Sequence, residues 1–502
     1  MSASLTERVI ELCEDTLARL GPGEASTRIA AVAERLRMPL QVTVAGGVSS
    51  GKSTLVNALL GQSIAAVDAG ECTKVVTWFR YDHHERIEVI LRDGRIATLP
   101  LGSGGMPADL GAPADEIRRI VVYLSNAGLK QMNLIDTPGL NTVTRVNEEN
   151  TAEFLGVDNG SVSASESSAA IGGADALVFL MPYLREADAN VMAGFRRLYE
   201  GTGLSAFNAV GVLSRIDRLS PTGDPLTNAA PIAARVGADL RGVVSRVVPV
   251  IGLLAQTSRA AQFTEGDAAA VAVVAAVTDP LDREDLLLTV GDFLSSDLID
   301  LPENRRRRLV DLLDLFGLRT AVEVVDAGGR GAAPILREIE LRSGFEPLRH
   351  LLEDQFGKQA DLMKASVGVG DLRRLSYLMT DAASAEVLAH LRTPLERIEL
   401  DPDLHQLRVI EVMESVAAGF ASFDDVLMAD LERLCEGTSP LSRLGVQQLA
   451  DAPAAAIAGA GRWAALSQDR RRPPHQQRLA RIVKEAFETL WAQTSAAIGG
   501  PR

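Results

Sequence analysis

The segment Gly46-Gly-Val-Ser-Ser-Gly51-Lys52-Ser53 carries the residue types best suited to chemistry. Two glycines five positions apart, followed by lysine and a hydroxyl residue, match the phosphate-cradling pattern Gly-x-x-x-x-Gly-Lys-Ser at every fixed position. Glycines let backbone N–H groups converge on an anion with no Cβ in the way. A helix starting at the end of such a loop aims its positive end at the same anion. Lys52 supplies a mobile charge for the outer phosphates of a nucleotide, and Ser53 a hydroxyl for Mg²⁺. The expected phosphate-binding set is Gly46, Gly47, Val48, Ser49, Ser50, Gly51, Lys52, Ser53 and Thr54. The bland alternative is a glycine-rich turn with a surface lysine.

Three further stretches complete a nucleotide constellation. Asp136-Thr-Pro-Gly139 follows an apolar run, so Asp136 is expected to hold Mg²⁺ through water and the Gly139 N–H to sense the terminal phosphate. Ser214-Arg215-Ile-Asp217 has the form of a guanine reader: the Asp217 carboxylate would accept from the base N1–H and exocyclic amine. Adenine presents a lone pair there, so the same carboxylate rejects it. Arg215 can cover the base face with its stem and guanidinium plane. Ile251-Gly252 could lend backbone contacts to the base. Thr73, twenty residues past Ser53 in an irregular stretch, is the candidate switch threonine, closing on Mg²⁺ and positioning the attacking water. Each has a structural alternative: a turn for 136–139, a helix cap for 214–217, a strand start for Thr73.

The surrounding elements suit these roles. Residues 40–45 read as a buried strand, and 53–60 as a helix with Leu55, Val56, Leu59 and Leu60 apolar. Strands are expected at 75–80, 86–91, 95–99, 117–124, 132–135, 176–181, 209–213 and 247–251, with a hairpin at Asp93-Gly94 and a helix at 187–200. Alternation of strands with helices implies a doubly wound sheet. Residues 141–173 read as a polar switch segment. From 281 onward strand signals vanish and helical spacing recurs at 281–297, 303–317, 333–342, 346–366, 371–396, 403–416, 423–436, 446–458 and 476–497, with Gly317 and Pro394 among the punctuating residues. Two N-terminal helices, about 4–20 and 26–37, need a partner elsewhere. The division is thus 1–38 joining a helical bundle, 39–280 an α/β nucleotide-binding domain, and 281–502 an all-α bundle.

Composition narrows the function. The formal net charge is −15, with no basic module, which argues against nucleic acid as a partner and against a ribosome-associated role. Three cysteines, Cys13, Cys72 and Cys435, are far apart and form neither a disulfide framework nor a zinc site, which fits a reducing cytoplasm. The polar, amphipathic N-terminus does not read as a signal peptide. The longest apolar run, 268–277, is far shorter than the ~20 residues a membrane helix needs. The basic runs 305–308 and 470–472 read as solvated faces or ion pairs, with lipid headgroups as the rival partner; 415–423, with Phe420 and Phe423, reads as a helix–helix turn, with a membrane-touching tip as the rival.

The loop at 46–57, with Glu71-Cys-Thr-Lys-Val-Val-Thr-Trp-Phe-Arg80, Asp136-Thr-Pro-Gly139, Ser214-Arg-Ile-Asp217 and Val248-Pro-Val-Ile-Gly-Leu-Leu254, resembles the bacterial dynamin-like GTPases. The resemblance is specific across 39–260 and looser beyond, and the wide gap from Lys52 to Asp136 suits it. It implies a P-loop GTPase head of the dynamin type, a helical neck built from both chain ends and a helical trunk. It implies GTP/GDP and Mg²⁺ as ligands, GTP-dependent pairing of heads between copies or with a second dynamin-like protein, membrane remodelling, and a cytoplasmic site with a peripheral position on the inner face of the plasma membrane. It also implies a charge-compensating monovalent cation near Ser49. The family's water-ordering position falls on Val48, and Leu140 stands where Ras-like proteins carry glutamine; neither apolar side chain can align a water. The catalytic and switch set is therefore Lys52, Ser49, Thr73 and Gly139, with slow intrinsic hydrolysis. A nucleotide-gated scaffold that barely hydrolyses GTP is the alternative.

Overall fold

The computed structural model describes residues 4–47, 49–65, 75–102, 105–107, 109–137, 174–182, 208–219, 223–240, 244–357, 359–378, 382–399, 401–417, 421–437 and 439–499. One nine-stranded sheet, in the order β4-β3-β5-β2-β6-β1-β7-β8-β9, organises the first half. Its strands are β1 (Leu40–Gly46), β2 (Thr77–Tyr81), β3 (Arg86–Leu91), β4 (Ile96–Leu99), β5 (Ile117–Leu124), β6 (Met132–Asp136), β7 (Ala176–Pro182), β8 (Ala209–Ser214) and β9 (Arg246–Val250). All nine fall on the runs expected from sequence, within two residues at either end. β1 lies inside the sheet, between β6 and β7, and is buried along its whole length, as its run of apolar and β-branched residues requires.

The sheet is mixed. β6, β1, β7, β8 and β9 run parallel. β2 is antiparallel to β6, and β3 is antiparallel to both β4 and β5. The reason is local for β3 and β4: the Asp93-Gly94 turn is too short to hold the crossover that parallel neighbours need. Gly94 takes φ 88°, which the tight turn between β3 and β4 demands.

Helices cover both faces. One face packs Leu177, Phe179, Met181 and Leu213 against α4 (Pro225–Asp239), α5 (Gly252–Arg259), α6 (Glu265–Ala275) and the helices that follow: α7 (Pro280–Leu286), α8 (Val290–Ser295), α9 (Glu303–Asp326) and α10 (Ala332–Arg342). The other packs Val42, Val44, Val178 and Val212 against α3 (Lys52–Leu60) and α11 (Phe345–Leu352). The core under the sheet therefore does not stop near residue 280 but includes Phe293, Leu309, Leu318 and Ile339.

The basic run at 305–308 is consumed in this packing. Arg306 is buried and donates to the carbonyl oxygens of Phe293, Leu294, Ser296, Ile299 and Leu301, closing the 293–301 loop. Arg305 donates to the Gly266 carbonyl, Arg307 pairs with Glu303, and Arg308 pairs with the buried Asp267. Ion pairs, part of the blander reading, engage Arg305, Arg307 and Arg308, while Arg306 is a buried clamp on backbone carbonyls that neither reading included.

The helix boundaries differ from the expectation in several places. α9 runs through Gly317 to Asp326 and breaks instead at Asp314, whose φ of 50° and ψ of −176° leave the helical region. A non-glycine residue there costs on the order of 1–3 kcal/mol. Gly317 serves contact, not termination: a Cβ would stand 2.5 Å from a Leu254 methyl. Likewise α12 (Ala360–Leu378) passes through Gly368, which lets Leu36 and Val9 approach. α13 (Ala382–Glu399) contains Pro394 within it. The helix expected at 446–458 lies at Ala452–Gln468.

α1 (Leu5–Leu17) and α2 (Glu24–Arg37) bury Val9, Cys13, Ile29 and Leu36 against Val369, Leu372, Leu391 and Leu395 of α12 and α13. Burial pushes the Cys13 thiol up to about 12. Beneath the sheet Arg35 lies 3.6 Å from the fully buried Asp175 and 2.7 Å from Asp371, while Lys364 donates to the Met38 carbonyl. α14 (Pro402–Ala417), α15 (Asp425–Glu436), α16 (Pro440–Leu444), α17 (Ala452–Gln468) and α18 (Pro474–Gly499) form a further bundle around Trp463 and Phe487. Phe423 stacks edge-on to Trp463 at 4.8 Å, a core role; Phe420 lies outside the described residues.

Candidate nucleotide-binding site

β1 ends at Gly46, whose φ of 154° and lack of a side chain let the chain turn beneath Leu180; a Cβ there would collide with the Leu180 carbonyl oxygen. The loop crosses Gly47, Ser49 (φ 59°) and Gly51 (φ 93°) before α3 begins at Lys52. Ser49 is exposed, and Ser50 is buried. The Lys52 ammonium curls back over the loop, donating to the carbonyl oxygens of Gly47 at 2.8 Å and Gly46 at 3.1 Å. Burial holds its pKa below the ordinary lysine value, opposed by the nearby Asp136.

Ser53, the second residue of α3, donates its hydroxyl to Asp136 at 2.8 Å. The strand pair β1–β6 fixes this meeting, because Asp136 lies across from Val44 at the end of β6. Burial pushes the Asp136 carboxyl up to about 6, against the Ser53 hydrogen bond and the Lys52 charge, which pull it down. Its Oδ1 and the Ser50 hydroxyl oxygen are buried without a hydrogen-bond partner. Orphaned buried oxygens beside a phosphate loop are what a hydrated divalent cation and a phosphate chain would satisfy. Among the described residues no cluster of three His, Cys, Asp or Glu side chains forms. A cation here would thus draw on one hydroxyl, one carboxylate and the ligand's own oxygens, a donor set that suits Mg²⁺.

The base-reading candidates arrive on β8 and β9. Ser214, at the end of β8, is buried and donates its hydroxyl to the carbonyl oxygen of Ser50 at 2.7 Å. It therefore ties the expected base loop to the phosphate loop. Arg215 follows in the left-handed region (φ 56°), a conformation that turns the chain so that Ile216 enters the core and Asp217 stays half-buried at the surface. Burial raises the Asp217 pKa, helped by Asp314 and opposed by Arg218 and Arg215. Gly252 opens α5 with Thr54 in van der Waals reach of where its Cβ would be. Ile251 departs from the expectation: its amide donates to the Ser343 carbonyl at 2.8 Å, which withdraws that group from the base.

Val48, Thr73 and Gly139 lie outside the described residues, as do Leu140, the segment 141–173 and the helix expected at 187–200. Asn57 is a residue that motif reasoning passed over. Its carboxamide donates to the Ala65 carbonyl and accepts from the Ile64 and Ala65 amides, fixing the chain as it leaves α3. A buried asparagine on the apolar side of a short helix was the available signal. Thr137 is another: its hydroxyl and amide both donate to the Val44 carbonyl, holding the end of β6 to β1.

A model of the dynamin family matches residues 42–213 of the chain. Over 488 residues, 94% of each protein, the chain is 30% identical to the isoniazid-induced protein IniC of Mycobacterium tuberculosis. It is 31% identical over 132 residues, 26% of this chain and 12% of the relative, to a probable transmembrane GTPase, FZO-like, of Arabidopsis thaliana chloroplasts. A solved oligomerised bacterial dynamin pair, described as a mechanism for long-range sensing and tethering of membranes, aligns with 98% of this chain and 91% of its own at a TM-score of 0.35 and 13% identity.

Proposed function

The chain belongs to the dynamin family, and from that premise we propose that it binds GTP with Mg²⁺, hydrolyses it slowly, and couples the nucleotide cycle to assembly on a membrane surface. The observation that carries this reading is the half-buried meeting of Ser53 and Asp136 under the phosphate loop, with one carboxylate oxygen unpartnered. Thr73 and Gly139, the switch candidates, join the same reading as proposals.

The chain's own groups have definable tasks. Backbone amides of 47–53 and the start of α3 bind the phosphate chain. Lys52 exchanges its two carbonyl contacts for phosphate oxygens, an exchange that its desolvation favours because an anion satisfies a buried ammonium better than neutral carbonyls do. Ser53 and ionised Asp136 hold the hydrated cation. Mg²⁺ bound there would neutralise charge on the outer phosphates as the bond to the leaving group lengthens. Asp217 accepts from the guanine N1–H and amine. With Val48 and Leu140 apolar, no side chain at those two positions orients water, so turnover rests on the Thr73 backbone or on a partner head. That shortfall also supports a second reading, a nucleotide-gated scaffold with very slow hydrolysis acting with another dynamin-like protein.

Membrane remodelling, pairing through the heads and a cytoplasmic, peripheral position are extended to this chain from its kinship. Among the described residues no helix is long and apolar enough to cross a membrane. Calorimetry with GTP and GDP tests the core of the reading: micromolar binding that Lys52→Ala abolishes is expected, and no heat with either nucleotide ends it. GTP turnover and flotation with anionic liposomes, with and without a non-hydrolysable analogue, test the membrane part.

A further inference from the structure

We propose that Arg80 and Arg119, set against the indole of Trp78 on one face of β2 and β5, form a binding site for a small phosphate-bearing anion. The site is separate from the nucleotide pocket, because α3 packs on the opposite face of the sheet.

β2 and β5 are parallel neighbours, with Trp78 beside Val121 and Arg80 beside Tyr123. Side chains alternate across a strand, so Phe79, Ile120 and Val122 enter the core shared with α3, while Trp78, Arg80, Arg119 and Val121 take the other face. There the Arg80 guanidinium lies 4.8 Å and the Arg119 guanidinium 5.5 Å from the centre of the Trp78 ring. All three side chains are half-buried, in a setting that includes the buried Val76, Val121 and Ile135.

What this pair lacks is a counter-charge. Among the described residues neither arginine forms an ion pair; Arg80 donates only to the Met38 sulfur, at 3.8 Å, and Arg119 to none. The Nε of each is buried without a hydrogen-bond partner. Burial lowers the Arg119 pKa, and the like charges of Arg80 and Arg118 act in the same direction, against weaker help from Tyr123 and Glu34. Carboxylates are not scarce in a chain with 66 Asp and Glu against 51 Lys and Arg. Stacking alone does not explain the arrangement. Arg86, on the same face, also lies over an aromatic ring, Tyr123 at 3.8 Å, yet Asp82 and Glu88 take up its charge. A ring face accepts no hydrogen bond from the in-plane guanidinium N–H groups, and two guanidiniums on one indole repel each other. An oxyanion answers both deficits: its oxygens accept from the planar forks and its charge offsets theirs. Phosphate, with a charge of about −2 near neutral pH, matches two arginines better than one carboxylate does. The half-buried setting selects a small ion, which can reach donors that a flat lipid surface cannot.

Calorimetry of the full chain carrying Lys52→Ala, titrated with pyrophosphate in a phosphate-free buffer, tests the site with the phosphate loop silenced. Binding is expected. Arg80→Gln or Arg119→Gln, added to that background, should weaken it at least about tenfold, the scale of a lost charge-assisted hydrogen bond. Arg119→Lys keeps the charge without the fork and should weaken it by less. Pyrophosphate should also change the tryptophan emission of the background chain, and Trp78→Phe should remove that change. Without ligand the glutamine variants should unfold no earlier than the background, since each removes one of two like charges, which separates lost affinity from a lost fold. No pyrophosphate binding in the Lys52→Ala chain overturns the proposal, as does undiminished binding in the glutamine variants. Binding to phosphatidate vesicles with none to free pyrophosphate overturns it as well. Loss of GDP binding in the wild-type chain would end the nucleotide reading and leave this result unaffected.

Discussion

The Ser214 hydroxyl donates to the Ser50 carbonyl oxygen over 2.7 Å, and both residues are buried. The end of β8 and the phosphate loop are therefore one unit, although 164 positions separate them in the chain. Removing the hydroxyl leaves a buried carbonyl unpaired. Ser214→Ala should cost about 1–3 kcal/mol of folding free energy and weaken GDP, because the loop that receives the phosphates loses its brace. Urea unfolding and calorimetry on the same sample check both; a stable variant with wild-type affinity would show the bond to be idle.

The base assignment has its own test. Asp217→Asn replaces one acceptor oxygen by a donor amide, which suits the 2-carbonyl of xanthine and opposes the 2-amine of guanine. GDP affinity should fall and xanthosine diphosphate affinity rise, changing their ratio by at least about a hundredfold. If competition titrations show equal losses for both nucleotides, Asp217 does not read the base.

Asp136 makes the cation dependence titrate. Its carboxyl, raised to about 6 by burial, holds a proton in the folded protein over a range where the unfolded chain has released it. With a raised native pKa, the sign is that stability declines as pH rises from about 4 to about 6 and is level above, a loss of about 3 kcal/mol at most. A cation needs the ionised form, so the Mg²⁺-dependent part of GDP affinity should be full above pH 7 and fall about tenfold per unit well below pH 6. Asp136→Asn should abolish the Mg²⁺ increment and, without the cation, unfold later than wild type at pH 7.5 but not at pH 4.5. A Mg²⁺ increment that stays constant from pH 5 to 8 would exclude Asp136 from the cation site.

Arg306 offers a contrast between stability and function. No lysine can reach five carbonyls from one point, because its ammonium has three donors and no planar fork. Arg306→Lys should lower the stability of the sheet-bearing half by at least about 3 kcal/mol and leave GDP affinity per folded molecule unchanged. Thermal unfolding with and without GDP, scored against active-site titration, separates the two effects.

The strands could be read from the chain because each is a short apolar run between turn residues, and the phosphate loop because its glycines have local work. The break and continuation points of the helices could not. Gly317 looks like a stop in sequence and Gly368 falls between two expected helices, yet each is a place where a partner helix comes close, and the partner, Leu254 or Leu36, is far away in the chain. Asp314 carries no breaker signal, since aspartate is only a mediocre helix former, yet the helix leaves its regular path there. The capture of the Ile251 amide by Ser343 is invisible for the same reason. Motif spacing found which residues could form a site; which of their polar atoms are already spent depended on long-range neighbours.

The contact of Leu36 with Gly368 bears on how the chain is made. α1 and α2 leave the ribosome before the sheet does, but the helices that cover Val9, Ile29 and Leu36 arrive only after the whole sheet has been synthesised. At ~5–20 residues per second those apolar faces wait on the order of tens of seconds in the open. The amino-terminal hairpin of helices is thus the segment of a nascent chain that a chaperone would shelter, and a truncation before residue 360 would leave it permanently unclothed.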